Sequence, residues 1–165
     1  MKKTWAMVGI CALIYAAPAW AEKEKEVLFS PEEKDKIMQF TLEQFWGNAV
    51  DSKGELIQPK NDEERKALPV SKDQAGYIID KGGESALAQW CGVEWQERFN
   101  LLMEQMRKRM PSDTQIAYLG VLHGVSQKMM FDVMDGETCS KQTKKQLQDI
   151  ITHEISNLKT ALKDE

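Results

Sequence analysis

The sequence predicts an all-α, single-domain helical bundle of about four main helices with a short helical insertion and one disulfide. Apolar residues recur at three- and four-residue steps along most of the chain, and helix-capping residues stand where those stretches begin. The longest strand-forming run is residues 77–79. Residues 22–165 form the predicted domain, which is long enough for one hydrophobic core.

Residues 1–21 have the composition of a cleaved Sec signal peptide. Residues 1–3 carry two lysines, residues 5–17 are apolar, and residues 19–21 read Ala-Trp-Ala, a small-x-small cleavage site. We expect cleavage after residue 21, with cleavage after residue 19 as the alternative. The mature protein is then periplasmic or secreted.

Membrane attachment is not expected after cleavage. A transmembrane helix needs roughly 20 apolar residues, more than this leader has. Cys11 follows Ile10, where a lipoprotein signal has a small residue, so we interpret it as part of the discarded apolar run.

The charge of the mature chain argues against two classes of partner. Loss of Lys2 and Lys3 from 22 basic residues leaves 20, against 26 acidic residues, so the net charge is −6. Nucleic acid would require a basic face, and anionic lipid a basic amphipathic stretch. The sequence shows neither, and therefore favours a basic or neutral partner.

The first helix is predicted over residues 31–49. Ser30 can act as the N-cap, Pro31 occupies the first helical position and Glu33 completes a capping box. Residues 51–70 follow as an irregular loop that contains one helical turn near Glu63.

A second capping box, Ser71 with Gln74, predicts a short helix through residues 77–79. Glycines 82 and 83 are expected to break it, and a further turn or two to run over 84–90.

Two long helices are predicted over 93–110 and 113–134, antiparallel because only Pro111 and Ser112 separate them. Ser112 is the expected N-cap of the second helix, and Gly136 its left-handed C-cap.

A final helix begins after Ser140. Its narrow apolar stripe predicts that it covers the bundle; the stripe consists of Leu147, Ile150, Ile151, Leu158 and Leu162.

Cys91 and Cys139 are predicted to form a disulfide, because export places them in an oxidising compartment. The antiparallel hairpin brings the start of 93–110 near the end of 113–134, so the two cysteines meet at one end. The bond would close a loop of about 49 residues and contribute about 4 kcal/mol. A redox-active pair is disfavoured, since such pairs usually have C-x-x-C spacing at a helix start.

The methionines allow a soft-metal site as an alternative to core packing. Met103, Met106 and Met130, with His123, are candidate ligands for an ion such as Cu(I). Methionine also fills irregular cores, and these spacings are those of a buried stripe. We therefore predict core packing and no cofactor.

Gly120 and Gly124 lie on one face of their helix. Each glycine costs about 1 kcal/mol relative to alanine, so we expect a close helix crossing there. The alternative is a partner or ligand surface that includes these glycines, His123 and an outward-facing Trp46.

No catalytic motif is present. The only histidines are His123 and His153, and the sequence lacks H-E-x-x-H, G-x-S-x-G, P-loop and dinucleotide patterns. We interpret Glu94 and Arg98, four residues apart, as an exposed ion pair.

These observations predict an exported, non-enzymatic binding protein that acts on another protein, as an inhibitor, an immunity protein or an assembly factor. The alternatives are a small-ligand or copper carrier, and an unrecognised hydrolase. The sequence does not predict an oligomeric state.

Overall fold

The computed structural model describes residues 28–110, 112–134, 136 and 138–164. Within these ranges the chain forms six helices and no strand, which confirms the all-α prediction. The helices are α1 (Pro31–Phe45), α2 (Asp62–Lys66), α3 (Lys72–Trp90), α4 (Gln96–Arg109), α5 (Asp113–Val133) and α6 (Lys141–Asp164). The predicted signal peptide, residues 1–21, lies outside the described residues.

Helix α1 begins as predicted and ends earlier. Ser30 Oγ accepts from the Glu33 amide at 3.3 Å, and the Glu33 carboxylate accepts from the Ser30 amide at 2.7 Å. The helix stops at Phe45 because Trp46 is extended and Gly47 has φ +79°. This glycine conformation turns the chain out of the helix four residues before the predicted end.

The predicted irregular loop closes on itself. The Gly47 amide donates to Ile57 O and the Ile57 amide to Ala49 O, both at 2.9 Å, and an isolated antiparallel bridge joins Val50 and Leu56. Ile57 is buried in the main core. The predicted helical turn near Glu63 is α2, capped by the Asn61 side chain.

Helix α3 is continuous, so the predicted break at Gly82 and Gly83 is wrong. Neither glycine has a positive φ. A Cβ on Gly83 would lie 2.8 Å from the ring of Phe29, and one on Gly82 would overlap α5. Both glycines therefore allow other segments to pack closely against an unbroken helix.

Helix α5 packs chiefly on α3, and the two helices run parallel. The predicted pairing of 93–110 with 113–134 missed this partner, because α5 packs less on α4 than on α3. Helix α4 nevertheless runs antiparallel to α5, since it returns the chain from the end of α3 to the start of α5. The parallel direction of α3 and α5 is shown by three hydrogen bonds that follow the same order along α5 and along the chain from just before α3 to its end. They are Gln115 Nε2 to Pro69 O at 3.0 Å, His123 Nε2 with Ser85 Oγ at 3.0 Å, and Gln127 Nε2 to Gln89 Oε1 at 2.8 Å.

The predicted cap at Ser112 does not form, since its side chain makes no capping hydrogen bond. Gly136, by contrast, has φ +85°, the left-handed conformation expected after α5.

Helix α6 lies over α4 and the end of α3. Cys139, which precedes it, bonds to Cys91 at the end of α3, which confirms the predicted disulfide. Around that bond, Ala88, Val93 and Ile151 form a small second core. Ile150, predicted to lie in the apolar stripe, is 51% exposed because it faces a groove and not the core.

Candidate functional site

Arg98 of α4 lies at the centre of a buried polar cluster. Its Nη1 donates to Glu84 Oε2 at 2.6 Å and to Glu154 Oε2 at 2.9 Å. Lys81 Nζ contacts the same two carboxylates, at 2.7 Å and 2.5 Å. The four side chains therefore alternate in sign around a closed ring that joins α3, α4 and α6. We call Lys81, Glu84, Arg98 and Glu154 the ion-pair ring.

The expected exposed pair between Glu94 and Arg98 is wrong. Arg98 is 2% exposed, because it occupies the apolar side of α4 between Trp95 and Leu102. Glu94 precedes the helix, and its carboxylate accepts from the Gln96 amide at 3.0 Å. A cation on an apolar stripe was the sequence signal for this cluster; the acidic partners lie too far along the chain for spacing to identify them.

Opposite charges keep the ring ionised. Burial alone would lower the pKa of Lys81, but its hydrogen bonds to Glu154 and Glu84 outweigh burial and raise that pKa. Burial alone would raise the pKa of Glu154, but Lys81 and Arg98 together lower it. Lys81 therefore stays protonated and Glu154 stays ionised at neutral pH.

His123 of α5 extends the cluster. Arg98 Nη2 donates to Ser85 Oγ at 2.7 Å, and Ser85 Oγ lies 3.0 Å from His123 Nε2. The rings of Trp95 and Phe99 pack against the imidazole. Burial, and secondarily the charge of Arg98, lower the pKa of His123 to about 4, so the imidazole is neutral at pH 7.

The Ser85–His123 pair does not have the setting of a nucleophile and its base. Such a pair needs hydrogen-bond contact and also access to substrate. Ser85 is completely buried and His123 is 2% exposed. The pair therefore satisfies polar groups in the core, and His123 does not form part of a surface.

A groove of about 430 Å³ lies between α3 and α6, with the ion-pair ring at its floor. Its walls mix aliphatic side chains with polar and charged ones, and Ile150 is half-exposed there. We call it the α6 groove; besides the ring it is lined by Leu28, Lys34, Asp80, Leu87, Thr143, Gln146, Leu147, Ile150 and Ile151.

A second opening, of about 290 Å³, lies on the other side of Glu154. It shares Lys81, Arg98 and Glu154 with the α6 groove, and Tyr77 and Leu158 also line it. The Glu154 side chain thus extends from α6 into the ring, with an opening on each side of it.

The predicted surface of Trp46, Gly120, His123 and Gly124 is not assembled. Trp46 is 8% exposed, and its Nε1 donates to Arg65 O at 3.1 Å, so it is not outward-facing. Gly120 is partly buried beside Met103, while Gly124 is exposed with no neighbour within 4 Å of its Cβ position. The close helix crossing expected at these glycines occurs instead at Gly82.

The methionine candidates pack in or against the main core. Met103 is buried, and Met106 and Met130 are partly buried against the same cluster. The fourth candidate, His123, is engaged with Ser85. In the described ranges no group of three or more His, Cys, Asp or Glu side chains could hold a metal ion.

None of the described helices combines the length and apolarity needed to cross a membrane. Comparison with known protein families, curated proteins and solved structures finds no match to this chain.

Proposed function

We propose that this protein is a non-enzymatic binding protein that acts outside the cytoplasm on another protein, and that the α6 groove receives its partner. The observation that carries this proposal is a groove in which five aliphatic side chains, beside four polar or charged ones, line the walls above a floor of paired charges. Concave, largely apolar sites with a few convergent polar groups are typical of binding sites.

The ring favours a partner with apolar side chains over an anionic ligand. Arg98 and Lys81 are buried, and each already contacts both carboxylates of the ring, so neither offers a free charge to a phosphate or carboxylate. Ile150, in contrast, exposes half of an aliphatic side chain to the groove. Burying such apolar surface against a partner stabilises the complex by roughly 25 cal/mol per Å².

The inaccessible Ser85–His123 pair supports a non-enzymatic role, and the Cys91–Cys139 disulfide suits the oxidising compartment that the leader predicts. Inhibition, immunity or assembly assistance are the partner-binding roles that fit a small exported domain.

Position-specific cross-linking tests the proposal. A photoreactive residue replaces Ile150 in the groove, and in the control it replaces Val133, which is 79% exposed near the end of α5 and does not line the groove. Each protein is exported in its own host and irradiated, and adducts are identified by mass spectrometry.

A discrete protein adduct at position 150 that is absent at position 133 is the expected result. The substitution Ile150→Asp should then weaken binding of the identified partner by about tenfold or more, because it places a charge in an apolar contact. Equal adducts at both positions, or none at position 150, contradict the proposal. A copper adduct on the native protein would favour the metal-carrier alternative.

A further inference from the structure

Helix α6 is held in place by few buried groups. Of its described residues only Ile151 is buried, and the helix is 24 residues long. Two of its polar links to α4 lie at the surface: Lys159 with Glu97 at 2.6 Å, and Lys108 Nζ with Leu162 O at 2.8 Å. A further polar link, from Glu154 of α6 to Lys81 and Arg98, is partly buried.

The position of Glu154 also controls the shape of the α6 groove. The side chain lines both the groove and the second opening, so water reaches the ring from either side of α6. At the start of α6, Cys139 is covalently tied to Cys91. If the contact at Glu154 opens, α6 stays attached at its first turn and can pivot away from α3 and α4.

We propose that Glu154 is an acid-sensitive latch: its ionised carboxylate holds α6 against α3 and α4, and its protonation releases α6 and widens the α6 groove. The claim that this movement regulates partner access rests on the proposed function. The movement of α6 itself does not depend on it.

The charges that face Glu154 determine the direction of the effect. Helix α3 contributes Lys81 and Glu84, together with Tyr77, and α4 contributes Arg98. Helix α5 contributes His123, which is linked through Ser85. Protonation of Glu154 leaves two buried cations with one carboxylate. An uncompensated buried charge is strongly unfavourable, so the ring opens where water can enter.

The pKa shifts act in the same direction. The pKa of Glu154 is lowered in the folded protein, so its stabilisation is present above the unfolded value and is lost as the pH falls through the folded value. Protonation of His123 at low pH adds a further positive charge near Arg98. Both groups therefore favour release of α6 in acid.

Hydrogen–deuterium exchange with mass spectrometry on the full exported chain tests the latch without a partner. Glu154→Gln removes the charge and keeps the shape. The matched control is Glu97→Gln, which breaks an ion pair between α4 and α6 whose two side chains are each 51% exposed. Exchange is compared for peptides from α1, α5 and α6 at pH 7, and for the unsubstituted protein from pH 7 to about pH 3, because the pKa of Glu154 in the folded protein lies below the ordinary carboxyl value. All rates are corrected for intrinsic exchange.

We expect Glu154→Gln to accelerate exchange in α6 by about tenfold or more, with α1 and α5 unchanged and Glu97→Gln close to the unsubstituted protein. Acid should accelerate exchange selectively in α6 of the unsubstituted protein. The latch is refuted if the two variants exchange alike, or if α6 loses protection in acid only together with α1 and α5. Should Glu154→Gln fail to fold, the acid series on the unsubstituted protein decides alone.

Failure of the latch and failure of partner binding are distinguishable. Cross-linking at position 150 tests for a partner whether or not Glu154 is what holds α6 in place, whereas the exchange experiment contains no partner.

Discussion

Gly82 of α3 lies directly against Ser126 of α5, with no space for a side chain between them. A Cβ on Gly82 would overlap Ser126 Oγ and lie 2.6 Å from the backbone oxygen of His123. Ser126 Oγ is also fixed by hydrogen bonds to Leu122 O and His123 O, at 2.9 Å and 3.0 Å. This approach sets the spacing of α3 and α5, and so places Ser85, one turn further along α3, in contact with His123.

Replacing Gly82 by alanine should therefore destabilise the protein by about 1–3 kcal/mol, the usual penalty for overpacking a core. Gly124→Ala is the matched control, because that glycine is helical and exposed, with nothing near its Cβ position. Alanine there should raise the free energy of unfolding, by at most about 1 kcal/mol. Urea denaturation followed by circular dichroism measures both. Equal midpoints for the two variants would show that the Gly82 contact does not limit helix packing.

The sequence could not predict which glycine makes the crossing. Gly82 and Gly83 form a pair that is typical of a helix end, while Gly120 and Gly124 have the spacing of a packing face. The distinction depends on which helix lies opposite, and the parallel pairing of α3 with α5 is a long-range property.

Local signals predicted the structure well where one turn of backbone determines the outcome. The capping boxes at Ser30 and Ser71 both form, because their hydrogen bonds join residues three positions apart. The disulfide was also predictable, since helix lengths and a short turn bring its two ends together. The ion-pair ring was not, because its four charges come from three helices.

Thr41 of α1 provides a test of a buried polar group outside the ring. Its side chain is fully buried, and Oγ1 has no hydrogen-bond partner. Thr41→Val replaces the hydroxyl by a methyl group of nearly the same shape and should stabilise the protein by about 1 kcal/mol, because an unsatisfied buried hydroxyl is unfavourable. Thermal unfolding measures the change; a lower melting temperature would indicate that the hydroxyl has a partner such as an ordered water.

Loss of the disulfide should lower stability substantially. Cys91 and Cys139 are 48 residues apart, and in the chain-entropy model the loop between them contributes about 4 kcal/mol. The double variant Cys91→Ser/Cys139→Ser should unfold at a much lower urea concentration than the oxidised protein. The reduced, unsubstituted protein should match the double variant, and an unchanged midpoint in both would contradict a stabilising role.

His123 should make the protein less stable in mild acid. Burial lowers its pKa from the ordinary value of 6.5 to about 4, so between these values the unfolded chain binds a proton that the folded protein does not. The free energy of unfolding therefore decreases as the pH falls through this window, by about 2–3 kcal/mol in total. Above pH 6.5 the free energy of unfolding is not reduced by His123.

Urea titrations at half-unit steps from pH 7 to pH 4.5 measure this slope, above the range in which most carboxylates are protonated. In His123→Gln the amide can still hydrogen-bond with Ser85, but it has no proton to gain, so the slope should disappear even if overall stability is lower. His153→Gln, which removes an exposed imidazole, is the control for loss of a histidine. If His123→Gln retains the full slope, the histidine is not held neutral by burial, and another group titrates in this window.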